Sequence, residues 1–221
     1  MVDDPCPPVQ EVRLLEGEVL TTRLADVAPG YGDRLASTKL GVPSLPHWCV
    51  WIQPSAGAVP DRWELRWLTA VDAALNSWSP LLPITRVDDP TRAHVRVERR
   101  RPPRRQLDDG RWRASNGRAR LQLLEVRRGD VWRLEPGVTV LVSPELRAQV
   151  LQATAVHELG HAFGLWGHSS DPADALAPVQ GASPVLEPSE ADRSTLEWLR
   201  SLPTSFGDPT DASLPEAATD R

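Results

Sequence analysis

The chain has no apolar run approaching the roughly 18 residues that a membrane-crossing helix needs, and Met1 to Pro8 is acidic and proline-rich rather than basic and then apolar. A soluble, unexported protein with no membrane span is expected. Two cysteines, Cys6 and Cys49, allow at most one disulfide and cannot build a structural zinc site by themselves, so a disulfide framework is excluded. Lysine is nearly absent: Lys39 stands alone against 24 arginines, a ratio that points to a general coding bias. What is present is a chain of 221 residues, 40% apolar, enough for one ordinary core with tails. Collagen, coiled coil and wholesale disorder are excluded.

The net charge of -5 conceals an asymmetry. Residues 92–133 hold 14 of the arginines against five acids, Glu98, Asp108, Asp109, Glu125 and Asp130, and are therefore +9, which leaves -14 for the rest. A basic stripe of this kind attracts nucleic acid or an anionic substrate. Because arginine is preferred along the whole chain, nucleic acid is the lesser expectation, and a monomer is expected.

Residues 1–46 are rich in proline and weakly periodic, an irregular N-terminal arm with one short strand at Val9 to Leu15. A folded domain is expected over residues 47–202. Trp48 to Gln53 alternates as a strand does and stops at Pro54, and Trp63, Trp67, Val71, Ala74, Leu75 and Trp78 recur at helical spacing after the N-cap Asp61. Short strands are predicted at Ile84 to Val87 and His94 to Glu98, then an Arg/Pro loop over 99–116. Further strands are predicted at Gly117 to Val126, Val131 to Leu134 and Val138 to Val142. Ser143-Pro144-Glu145 predicts a helix start, with the helix reaching about Gly164, and Ser189 with Asp192 predicts another to Leu202. Residues 203–221 are predicted to be a disordered tail. The nine tryptophans fall at core spacing and are read as packing.

The chemistry is concentrated in His157-Glu158-Leu159-Gly160-His161, followed by Gly164 and His168. On a helix, two histidines four apart lie on one face about 6 Å apart along the axis, so both imidazoles can reach one ion. Glu158 then stands beside the metal without ligating it. Three of the five histidines fall within twelve residues. Gly164 permits the turn that ends the helix and lets His168 return toward the pair. The alternative is that these histidines only cap or pack a core helix.

The stretch HELGHAFGLWGHSSDPADAL resembles the metzincin zinc-peptidase signature HExxHxxGxxH, and specifically the small bacterial matrixin-like peptidases. The resemblance covers about His47 to Leu202, with its specific part at residues 154–174. It implies an α+β domain: a twisted mixed five-stranded sheet with one antiparallel edge strand, three helices and an active-site cleft. It also implies a zinc metalloendopeptidase, with His157, His161 and His168 as ligands of one Zn2+ and Glu158 as the general base. The chain departs from the family in two places. Gly164 to His168 is one residue longer than usual, with Trp166 the insertion, and no methionine follows the ligands, where Leu176 takes that place. Asp171 and Glu187 are the other candidates for third ligand, and His168 is preferred because a neutral imidazole preserves the metal's positive charge.

The expected reaction is hydrolysis of peptides or unfolded proteins, with zinc as Lewis acid and Glu158 activating the attacking water. Gly117 to Leu124 is the candidate edge strand for an extended substrate. Cys6 is weighed as a zinc-binding latency switch against an unpaired thiol, and Asp4-Pro5-Cys6-Pro7-Pro8 fits the switch motif poorly. Cys49 is expected to be a buried small hydrophobe and His94 a plain strand residue. Calcium at Asp88-Asp89 or Asp108-Asp109 is weighed against solvated turns, which are preferred. Two other functions stay open: a catalytically silent metal-site protein that binds peptides, and an Arg-rich nucleic-acid binder.

Overall fold

The computed structural model describes residues 4–210, apart from 16–18, 21, 107–109, 111 and 180. Its frame is a mixed six-stranded sheet: β1 (Glu11–Leu15), β2 (Trp48–Ile52), β3 (Ile84–Arg86), β4 (Val95–Arg99), β5 (Gly117–Arg128) and β6 (Val131–Val142). The spatial order is β1-β5-β6-β4-β2-β3. β6, β4, β2 and β3 run parallel, β5 is antiparallel to β6, and β1 is antiparallel to β5. Six strands replace the expected five because the short strand predicted in the arm joins the sheet edge. That edge pairing spans only Leu15–Leu123 to Glu11–Arg127. Two small pairs lie outside the sheet, Thr22–Arg23 with Ala36–Ser37 and, within the Arg/Pro loop, Arg105–Gln106 with Trp112–Arg113.

Two predicted strands, 131–134 and 138–142, are one continuous β6 through Pro136-Gly137. Proline breaks a ladder by lacking a donor, but here that donor has no partner to lose. The carbonyls of Trp132 and Leu134 and the N–H of Val138 all point away from β5, toward Thr210, Gly207 and His94 respectively. Pro136 shares their phase, and pairing with β4 begins only at Val138. The bare nitrogen therefore falls between the two partners on that side.

Helix α1 (Arg62–Trp78) begins at Asp61, whose carboxylate accepts from the N–H groups of Trp63 and Glu64 in a capping box, as the sequence predicts. It packs against α2 (Ala148–Ala162). Buried Trp67 and Trp78 donate their indole N–H groups to Val142 O (3.2 Å) and Val156 O (3.1 Å), which tie α1 to β6 and to α2. Trp63 instead lies half exposed between the guanidinium groups of Arg62 and Arg66. Helix α2 starts four residues later than Ser143 predicts. Ser143 is buried and its N–H donates to Asn116 O, so the chain still belongs to the sheet there and turns before the helix begins. Helix α3 (Glu190–Arg200) opens on the Ser189–Asp192 capping box.

The arm and the tail pack on the same core. Tyr31, Leu35, Val42 and Leu45 are buried among the sheet and helix residues, as is Phe206 beyond α3. Residues 203–210, predicted as the start of the disordered tail, run alongside the first half of β6 through the Gly207–Leu134 and Thr210–Trp132 bonds. Residues 211–221 lie outside the described residues.

Cys6 and Cys49 form a disulfide, so Cys6 is neither an unpaired thiol nor a metal ligand. His94 is likewise more than a strand residue. Its Nδ1 accepts the Cys49 N–H at 3.0 Å, and its Nε2 lies 3.3 Å from Glu135. Arg128 holds both oxygens of Glu135, at 2.9 and 3.0 Å, and also bonds the carbonyl of Pro7. Arg92 bonds the Cys6 carbonyl and Asp4. The first described residues are thus fastened to the sheet by one covalent bond and a buried polar cluster.

Candidate metal centre and cleft

The last two turns of α2 carry His157, Glu158 and His161, and His168 follows four residues after Gly164. Gly164 has φ +112°, a conformation that a side chain would strain. The inserted residue is absorbed by tight turns, Trp166 N–H to Gly164 O and Gly167 N–H to Leu165 O. The Trp166 ring then stacks on His161, 5.7 Å between centroids at 15°. Each of the three histidines offers a ring nitrogen, and these lie within 4.8 Å of one another. They form the one group of three or more candidate metal ligands among the described residues.

Hydrogen bonds decide which nitrogens are free. His157 Nδ1 lies 2.8 Å from Ala175 O and His161 Nδ1 2.7 Å from Leu165 O. A carbonyl can only accept, so both Nδ1 atoms carry the proton and both Nε2 atoms present lone pairs. Those Nε2 atoms stand 3.2 Å apart with no proton between them. Tetrahedral zinc with Zn–N near 2.0–2.1 Å would place two ligand nitrogens about 3.3 Å apart. The donor set therefore fits a divalent ion, and a cation removes the repulsion of facing lone pairs.

The surroundings agree. Burial lowers the pKa of His157 to about 4 and of His161 to about 3, and burial also lowers His168, so the neutral imidazole needed for ligation dominates at neutral pH. Behind His157, the Ala175 N–H donates to the fully buried Asp192 at 2.8 Å, and Asp192 accepts the Tyr31 hydroxyl at 2.6 Å. Asp174 accepts from Ser169 and Ser189. These bonds fix the loop whose carbonyl orients the first ligand. Leu176, on the same loop, is fully buried against Gly160, the residue before His161.

Glu158 points to the other wall. Burial raises its pKa to about 7, against the Ala119 N–H bond and the charge of Arg118. A Cβ on Gly117 would stand 2.6 Å from Glu158 Cγ and 2.7 Å from its Oε1, so only glycine lets β5 approach this closely. Two cavities meet here. One of about 670 Å³ is lined by Ser115, Gly117, Thr154, His157, Glu158, Ala177, Pro178 and Gly181. The other, of about 460 Å³, adds Leu20, Ala119, His161 and Trp166. His168 lines both.

The other predicted candidates stand apart. Asp171 caps the turn to Ala173, and Glu187 is exposed ahead of α3. Asp89 accepts from Thr91 and caps a short 3-10 turn, and Asp108-Asp109 lies outside the described residues. Of the edge predicted at Gly117 to Leu124, β1 pairs with Leu123 and Leu124, and residues 117–122 pair with β6 alone among the described residues. Sequence reasoning missed Gly117, Asp192 and Ala175. Gly117 stands out only once β5 is seen against Glu158, though the Ser189–Asp192 spacing had already marked Asp192 as a cap.

A comparison with protein-family models finds no match for the chain, and a comparison with curated proteins finds none either.

Proposed function

We propose that this protein is a zinc-dependent metalloendopeptidase of matrixin-like metzincin form, which hydrolyses peptide bonds in peptides or unfolded proteins. The observation that carries the proposal is the pair of unprotonated Nε2 atoms facing each other beside a carboxyl with a raised pKa. His157, His161 and His168 would hold the ion, which supplies a Lewis acid for the carbonyl and acidifies water. Glu158 takes the proton of the attacking water and delivers it to the leaving amine, roles that its place on α2 between the ligands His157 and His161 allows. Between Gly117 and Gln122, the side of β5 away from β6 pairs with no strand among the described residues, so an extended substrate can pair along that edge next to Glu158. The Cys6–Cys49 disulfide favours an oxidising compartment, outside the cytoplasm.

The test is metal analysis coupled to cleavage of casein with and without chelator. One zinc per chain and chelator-sensitive cleavage are expected. Glu158→Gln should keep the zinc and lose activity by about 10²–10⁴-fold. Stoichiometric zinc with no cleavage of any unstructured protein would replace the enzyme by a silent peptide-binding metal protein.

A further inference from the structure

The open part of β5 is not chemically neutral. Ala119 and Leu121 pack against the core, so Arg118, Arg120 and Gln122 lie on the opposite face of the strand. The ladder extends that face inward: Arg120 is opposite Thr139, and Thr139 is opposite Arg96. The loop carrying Arg100, Arg101 and Arg104 begins at the end of β4, and Arg118 donates to Pro103 O within it. Nearby acids are already committed, Glu98 to Arg100 and Glu145 to Arg101. Arg96, Arg104, Arg118 and Arg120 form no ion pair among the described residues. Across the cleft, the described residues from Ala177 to Leu186 carry no charge.

Resting on the peptidase reading, we propose that the site selects acidic peptides, with Asp or Glu at alternate positions facing Arg118 and Arg120. A peptide that adds to the edge places the side chains of every second residue on that face, directly opposite the arginines. In-between residues face the core side, toward Ala119 and the cleft. Opposite charges paired across neighbouring strands favour binding by up to about fivefold each, so two matched acids give up to about 25-fold, and about tenfold lies within that range. Arg120 is exposed, so the effect weakens as salt shortens the reach of its charge.

Two extended peptides that differ only by Glu against Gln at two alternate positions test this, on the zinc-loaded full chain. The Glu peptide is expected to show about tenfold higher kcat/KM at 50 mM salt and a smaller advantage at 500 mM. Arg120→Glu should abolish or reverse the preference. Equal cleavage of both peptides overturns the inference and leaves the peptidase standing. If neither is cut and casein is also intact, the peptidase reading falls. Fluorescence anisotropy of the same labelled peptides on Glu158→Gln protein then decides the inference: a salt-sensitive preference for the Glu peptide that Arg120→Glu removes supports it, and equal affinities overturn it. Tighter binding of a single-stranded RNA oligonucleotide than of the Glu peptide, also lost in Arg120→Glu, overturns it in favour of nucleic acid.

Discussion

Two histidine-centred polar sites occupy opposite ends of the same sheet, and their hydrogen bonds differ in kind. At one end, both ring nitrogens of His94 are spoken for, by the Cys49 N–H and by Glu135, and Arg128 completes the carboxylate. At the other, beside the Gly117 end of β5, the Nδ1 atoms of His157 and His161 are satisfied, but their Nε2 lone pairs face each other. The first arrangement is complete with protein groups alone and fastens the N-terminal segment. The second is complete only with something electrophilic from outside. Burial alone does not separate them, because His94 and His161 are both 8% exposed. The distinction lies in whether every acceptor meets a donor.

The largest expected effect breaks that contrast at its open end. His168→Ala removes one of three ligands and should lower zinc affinity by more than the ~10–100-fold typical of losing a residue that only orients a ligand. Activity should vanish with it. Asp171→Ala and Glu187→Ala should keep the metal. Full zinc occupancy and turnover in His168→Ala, by metal analysis and casein cleavage, would remove the three-histidine assignment.

At the closed end, Glu135→Gln strips a buried pair of one charge and should destabilise the fold by about 3–5 kcal/mol while leaving zinc content unchanged. Its pH dependence is directional. Burial raises the Glu135 carboxyl, but His94 and Arg128 outweigh that and hold it below its ordinary value of 4.5. The stabilisation is therefore complete above about pH 4.5 and is lost as pH falls through the lower folded value. Urea unfolding between pH 6 and 3 should show the gap between wild type and variant narrowing on acidification. A constant gap would mean that the carboxylate charge contributes nothing there.

The disulfide belongs to the same end, and Cys6→Ser should cost about 2–4 kcal/mol for a loop closed across 43 residues. Thermal unfolding of the oxidised protein and the variant measures it. Loss of zinc in this variant would show that the two ends are coupled after all.

The open end was legible in the sequence and the closed end was not. His157, Glu158, His161 and His168 fall within twelve residues, and helical spacing alone brings the first three together. The cluster at His94 draws on Cys49, Arg128 and Glu135, which only the pairing of β2, β4, β5 and β6 assembles. No local spacing records that register. The disulfide was passed over for a similar reason, since nothing near Cys6 or Cys49 indicated an oxidising compartment. Capping signals were dependable where no other structure competed, as at Asp61 and Ser189. Ser143 is not a cap because the chain still follows the sheet there, its N–H bonded to Asn116 O, and the helix begins only at Ala148.

The smallest effect concerns the floor of the metal centre. Leu176 is fully buried, and a Cβ on Gly160 would stand 2.5 Å from Leu176 Cδ2 and 3.0 Å from Trp78 Cζ2, so leucine fills the space between the histidine turn and α1. Its place is fixed from behind, because its N–H and that of Ala175 point to Asp192. Leu176→Met conserves volume and apolarity and should change stability by less than about 1.5 kcal/mol, with zinc content unaltered. Leu176→Ala, which leaves a cavity in the same position, should cost about 2–5 kcal/mol and loosen the Ala175 carbonyl that orients His157. Parallel denaturation curves and zinc titrations on the two variants measure both effects. If the methionine variant lost as much as the alanine one, the floor would be set by the branched shape of leucine rather than by its volume, and the metal centre would tolerate far less variation beneath it than its open front implies.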